Sequence, residues 1–313
     1  MEFVKKTIKK LSALDSTVII FLSLLTLANL IFGSVVPRAY IFIALNICLT
    51  ALIYIVAELY NKKPGRIVNL IHWFYPYPIV FITFKELYNM IKPLRPSDYD
   101  WLLIKIDHFI WGCNPTWMLY NIANPVLTEI LQICYTSFYI LPFILAVTLL
   151  AQKHELEAEY VVFSVVYGFF LSYMAYFALP AIGPRFTLHD FARTDEMLPG
   201  LFIAPIFREW INAGESIPRG TLHPALLVQR DVFPSGHTMM TAIVMYLSVK
   251  FKSKAKYVVL PVGALLIFST VYLRYHYVID VMAGMCCMVF SVWSGKRIFN
   301  YYQRLSGKQQ ITY

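Results

Sequence analysis

Two short stretches place groups able to do acid, base and nucleophilic chemistry inside otherwise apolar sequence. In FPSGHTMMTAI, residues 233–243, a turn runs into an apolar helix with His237 at its start. Pro234 suits a first helical turn, and Ser235 and Gly236 leave backbone N–H groups unobstructed. Free N–H groups at a helix N-terminus, reinforced by the helix dipole, bind phosphate. His237 beside such an anion can give a proton to a leaving oxygen. In RYHYVIDVMAG, residues 274–284, His276 and Asp280 are four apart and share one helix face. Asp280 can accept from one ring nitrogen of His276, which fixes the tautomer and leaves the other nitrogen as a nucleophile. An Asp inside a membrane span costs about 2.5–3.5 kcal/mol on insertion scales, so it is rarely left without a partner or a task. The loop before PSGH opens with PAIGPRF, and Arg185 there offers a permanently charged fork for phosphate oxygens. His189, four residues on, is a candidate for the same pocket. Arg230 and Arg274 are further candidate phosphate ligands.

The elements that hold these groups are membrane helices. Of the 313 residues, 58% are hydrophobic and 14% charged, and the mean hydropathy is +0.59, outside the balance of a soluble domain. Eight apolar runs approach the roughly 20 residues that cross a bilayer: 17–36, 39–59, 67–84, 126–151, 160–180, 235–251, 257–275 and 276–295. The last two nearly touch, which implies a tight turn at Arg274–Tyr277. The first follows Lys5, Lys6, Lys9 and Lys10 and is too long for a signal peptide, so it is expected to be a retained anchor.

With the N-terminus inside, 16 of the 27 Lys and Arg residues fall on cytoplasmic segments, as positive-inside topology requires. Both termini are then cytoplasmic. The net charge of +9 is explained by orientation and anionic lipid headgroups, and nucleic acid is not needed. Residues 85–125 mix Trp and Tyr with charges and prolines, as expected of an interfacial piece. Residues 182–234 form a 53-residue loop that is expected to pack as a lid. Cys48, Cys113, Cys134, Cys286 and Cys287 are scattered and read as buried small hydrophobes. No Asp/Glu/His cluster of ligand spacing appears, so neither metal nor other cofactor is expected.

PSGH at 234–237 and HxxxD at 276–280, with Arg185 upstream, resemble the type 2 phosphatidic acid phosphatase superfamily. The resemblance spans residues 67–295. It implies an all-α integral membrane protein of about eight transmembrane helices with a six-helix core: a two-helix addition over 1–66, a catalytic core over 67–300 and a cytoplasmic tail over 301–313. It also implies that His276 becomes a phosphohistidine, with Asp280 as its orienter, His237 as the acid and Arg185 as a phosphate clamp. Two family cations are missing, because Ala178 stands where the lysine is expected and Thr270 where the arginine is. Arg274, Arg230, or Arg95 and Lys92 are the candidate replacements. The GPRF and HYVID stretches look closer to inositol phosphorylceramide synthases and sphingomyelin synthases than to simple phosphatases.

The expected function is therefore hydrolysis of a lipid phosphate ester or transfer of a phosphorylated headgroup to a lipid alcohol. The partners are that lipid and the bilayer. In a bacterium the pocket would face the periplasm from the plasma or inner membrane; in a eukaryote it would face the lumen of a Golgi-type membrane. The alternative is a transporter with a buried His/Asp path, which would place charges near the midplane of broken helices. His72, His108, His154 and His223 are assigned structural or surface roles, and Asp107 beside His108 is not given a catalytic one.

Overall fold

A computed structural model describes residues 11–63 and 65–313 of the chain; the basic cluster Lys5, Lys6, Lys9 and Lys10 lies outside the described residues. In chain order the first helices are α1 (Ala13–Phe32), α2 (Ala39–Lys62), α3 (Arg66–Phe74), α4 (Pro76–Leu94), α5 (Asp100–Trp111) and α6 (Pro125–Thr136). There follow α7 (Ile140–Ala151), α8 (Glu155–Tyr176), α9 (Ala204–Gly214), α10 (Gly236–Lys250), α11 (Lys256–Tyr272) and α12 (Val278–Leu305). No strand occurs among the described residues.

Six stretches are long and apolar enough to cross a membrane: α1, α2, Ile67–Leu94, the α6–α7 run Pro125–Ala151, α8 and α12. The sequence expectation was eight. The two that fall short are α10, with 15 residues, and α11, with 17. Each is cut by the turn it adjoins. α10 cannot begin before its cap at Ser235, so Pro234 precedes the cap instead of occupying the first helical turn. α11 stops at Tyr272 because Arg274 takes the left-handed conformation, φ +67, and the Tyr275 and His276 N–H groups both return to the Thr270 carbonyl at 3.0 Å. The third span is longer than expected and continues to Leu94, so the interfacial piece, α5 and Pro115–Tyr120, begins only after it.

α8 is the central post. It is apolar on all sides, with buried residues from Ala158 through Tyr176, as expected of a helix surrounded by others. It packs against α1, α4, α7, α10 and α12. α12 closes on the start of α10 at Gly284, where a Cβ would stand 2.7 Å from the Ser235 carbonyl oxygen. Any side chain there would push the two motif-bearing helices apart. The N-terminal hairpin α1–α2 is tied to α4 by buried polar groups. Asn29 and Asn46 donate to the Glu86 carboxylate at 2.6 and 3.0 Å. At the other end of α1, Asp15 accepts from Tyr75 at 2.8 Å and pairs with His72 at 3.0 Å.

Candidate active site

Ser235 caps α10 in extended conformation, its hydroxyl accepting the Thr238 N–H at 3.2 Å. Its own N–H donates to the Asp280 carbonyl at 3.0 Å, which locks the start of α10 to the first turn of α12. Gly236 and His237 follow in the first turn, where helical N–H groups have no intrahelical acceptor. The His237 ring is half-buried, packed on Phe138 at 4.3 Å and stacked on Tyr135 at 4.6 Å between centroids. Tyr135 stacks in turn on Tyr275 at 4.3 Å.

The buried His276 ring lies 5.7 Å from that of His237. Its Nδ1 is 3.0 Å from the Val232 carbonyl and 3.5 Å from Asp280 Oδ2. A carbonyl oxygen can only accept, so Nδ1 carries the proton and Nε2 keeps its lone pair. The carbonyl therefore sets the tautomer, where the sequence pointed to Asp280. Asp280 stands behind it, 3.5 Å from Nδ1, and caps α12, its Oδ2 accepting the Tyr277 N–H at 2.8 Å.

The arginines separate into different roles. Arg185 is buried, ion-paired with Glu215 and donating to Asn212 at 3.0 Å. Its guanidinium lies 4.7 Å from each of the Phe186 and Tyr275 ring centroids. Its charge acts on both histidines. Arg230 is committed elsewhere: it pairs with Asp98 at 3.1 Å and donates to the Leu226, Ala225 and Val228 carbonyls. Arg274 also points away, toward Met197 Sδ at 3.4 Å and the Tyr120 ring at 5.6 Å. Arg95 donates to the Ala178 carbonyl at 3.1 Å and Lys92 to that of Leu226. His189 sits with Arg274: its Nε2 is 2.9 Å from Thr116 Oγ1, and burial together with the Arg274 charge pulls its pKa down to about 4. The geometry thus brings Arg185, Ser235, Gly236, His237, His276 and Asp280 together and leaves Arg230, Arg274 and His189 outside.

The model of the PAP2 superfamily matches residues 102–294. The chain belongs to the PAP2 superfamily. Comparison with curated proteins gave no match, and neither did comparison with solved structures. Membership of this superfamily indicates a phosphoesterase or phosphotransferase held in a membrane by apolar helices.

Around the PAP2 motifs the fold adds residues that sequence reasoning missed. α5 is a brace. Asp100 Oδ1 and Oδ2 accept the Gly183 and Ile182 N–H groups at 2.8 and 3.0 Å, and Oδ1 also accepts the Tyr277 hydroxyl at 2.8 Å. Asp107, one heptad on, accepts the Val278 and Ile279 N–H groups at 2.8 Å each, capping the helix that follows His276. Burial raises both carboxyls, opposed by these hydrogen bonds. The signal was present as two carboxylates at i and i+7 on the apolar helix DWLLIKIDHFIW. Half-buried Asp231 also belongs here: burial raises its carboxyl, while His276, Arg185 and Lys85 draw it back down. The 182–234 loop is anchored by Glu129, whose carboxylate accepts the N–H groups of Leu201, Phe202, Ile203 and Ala204 at 2.6–3.2 Å.

Proposed function

We propose that this chain cleaves a lipid phosphate ester through a phosphohistidine on His276, passing the phosphoryl-bearing group to water or to a lipid hydroxyl. The observation that carries the reading is the pair of imidazoles 5.7 Å apart, one of which has its Nδ1 proton held by a backbone carbonyl. In the first step His276 Nε2 forms a bond to phosphorus and the bond to the leaving oxygen breaks, His237 giving that oxygen a proton. In the second, His237 takes the proton of the incoming hydroxyl, the new P–O bond forms and the N–P bond breaks. The Gly236 and His237 N–H groups, with Arg185 once Glu215 is displaced, would hold the phosphoryl oxygens.

In this reading α10 and α11 complete an eight-helix bundle, and the domain bounds are 1–66, 67–300 and 301–313. Both termini are cytoplasmic and the histidines face the periplasm or a lumen. The GPRF and HYVID stretches favour a relative of the sphingolipid headgroup transferases, acting on a phosphorylated-headgroup lipid. A transporter would set its charges near the midplane, whereas His237, His276, Asp280 and Arg185 gather at one end of the bundle.

The test is incubation of purified protein with labelled lipid phosphates, with and without a ceramide-like acceptor. Label on protein that survives alkali and is lost in acid is expected, together with product formation reduced on the order of 10⁶-fold in His276→Ala. Unchanged turnover in that variant rules out the nucleophile; product appearing only with the acceptor selects transferase over hydrolase.

A further inference from the structure

α12 is longer than the hydrocarbon it crosses. Its 28 residues span about 42 Å at roughly 1.5 Å per residue, against about 30 Å of acyl chain. Its far half lines a cavity of about 850 Å³, shared with Tyr246 of α10 and with Gln310 and Tyr313 of the C-terminal segment. The lining is graded along the axis. Met288, Val289, Val292 and Trp293 come first and Lys296, Arg297 and Arg304 after. From Asp280 the helix rises about 12 Å to Met288, about 24 Å to Lys296 and about 36 Å to Arg304. The apolar part is therefore at acyl-chain depth, with Lys296 and Arg297 near the far edge of the roughly 30 Å hydrocarbon and Arg304 beyond it, on the side opposite the histidines.

The groove is a built feature. Asn300 both donates to and accepts from the Ile311 backbone, at 3.0 and 2.8 Å. Lys296 donates to the Tyr313 main-chain oxygen at 2.9 Å and lies 4.0 Å over its ring. The Tyr313 hydroxyl reaches that of Tyr160 at 2.9 Å, so this wall is tied to the central post. Arg297 lies 4.0 Å over the Trp293 ring, the arrangement of an interfacial aromatic and cation pair. Val289 and Trp293 are exposed. Three cations and no Asp or Glu side chain line the cavity, and of the three Lys296 is already engaged by the Tyr313 main-chain oxygen.

We propose that this groove binds one anionic phospholipid of the leaflet opposite the histidines, its phosphate among Lys296, Arg297 and Arg304 and an acyl chain along Met288–Trp293. The occupant follows from the gradient: a soluble anion has no use for the apolar half, and a zwitterionic lipid leaves the cations uncompensated. The site is separate from the proposed catalytic chemistry. Its ligand is retained, not turned over.

The unfolding midpoint of the purified full chain in nonionic detergent is measured while titrating phosphatidylglycerol, phosphatidylcholine or glycerol phosphate. Phosphatidylglycerol is expected to stabilise at a concentration at least about tenfold lower than phosphatidylcholine, and glycerol phosphate not to stabilise. Arg297→Gln with Arg304→Gln should shrink that preference to about threefold or less. Equal stabilisation by the two lipids, stabilisation by glycerol phosphate alone, or an unchanged preference in the double variant overturns the proposal. Should that variant fail to fold, tryptophan quenching by acyl-brominated phosphatidylglycerol decides: the quenching should be weaker in Trp293→Phe, and unchanged quenching overturns the site. None of these readouts needs turnover.

Discussion

At the scale of single residues, the site rests on which ring nitrogen of His276 holds the proton. The Val232 carbonyl holds it on Nδ1, so Asp280 is one step removed. His237→Gln removes the group proposed to give and take the proton, and turnover is expected to fall by about 10² to 10⁴-fold while phosphoenzyme hydrolysis slows in parallel; quenched-flow labelling checks both steps. His189 reports on the 182–234 loop. Its folded pKa, near 4, lies below the unfolded value of about 6.5. The neutral ring is the form the fold accepts, so stability is full above the unfolded value and is lost as pH falls from about 6.5 through 4. Unfolding midpoints measured across that window should flatten in His189→Gln, a side chain that can keep the Thr116 contact without titrating.

At the scale of elements, α5 acts at a distance from any reacting atom. Asp100 holds the chain entering the Arg185 turn and Asp107 holds the first N–H groups of α12. Asp107→Ala is expected to destabilise by about 1–2 kcal/mol, the value of a helix cap. It should also lower turnover more than substrate affinity, since His276 directly precedes the freed helix start; Asp107→Asn, able to accept from only one N–H, should fall between. Comparing kcat and KM with the unfolding midpoint separates the two effects. The stack Tyr135, Tyr275 and His237 is a second such device, joining α6 to the two motifs.

At the scale of the whole molecule, the N-terminal hairpin α1–α2 joins α4 through two amides on one buried carboxylate, Asn29 and Asn46 on Glu86. Hydrogen bonds of this kind contribute about 0.6–2 kcal/mol each. Glu86→Ala is expected to lower stability by about 1–3 kcal/mol and to loosen the hairpin, read as faster proteolysis of the α1–α2 connection. α12 runs the length of the bundle, with the His276 turn just before its start and the basic groove along its far half.

The sequence by itself determined the membrane class, the helical architecture, the two motifs and their assignment to one end of the bundle. Those follow from local rules: hydropathy over about 20 residues, i to i+4 spacing, and cap chemistry. It also exposed Arg185, His237, His276 and Asp280 as a set. Only the tertiary structure decided that α10 and α11 are short, that Arg230 serves Asp98 and Arg274 faces Met197, that Val232 holds the His276 proton, and that Asp107 caps α12. Each of those partners is distant along the chain: Val232 is 44 residues from His276, and Asp107 is 171 from Val278. Such pairings are set by how helices pack around α8, and no local spacing encodes them.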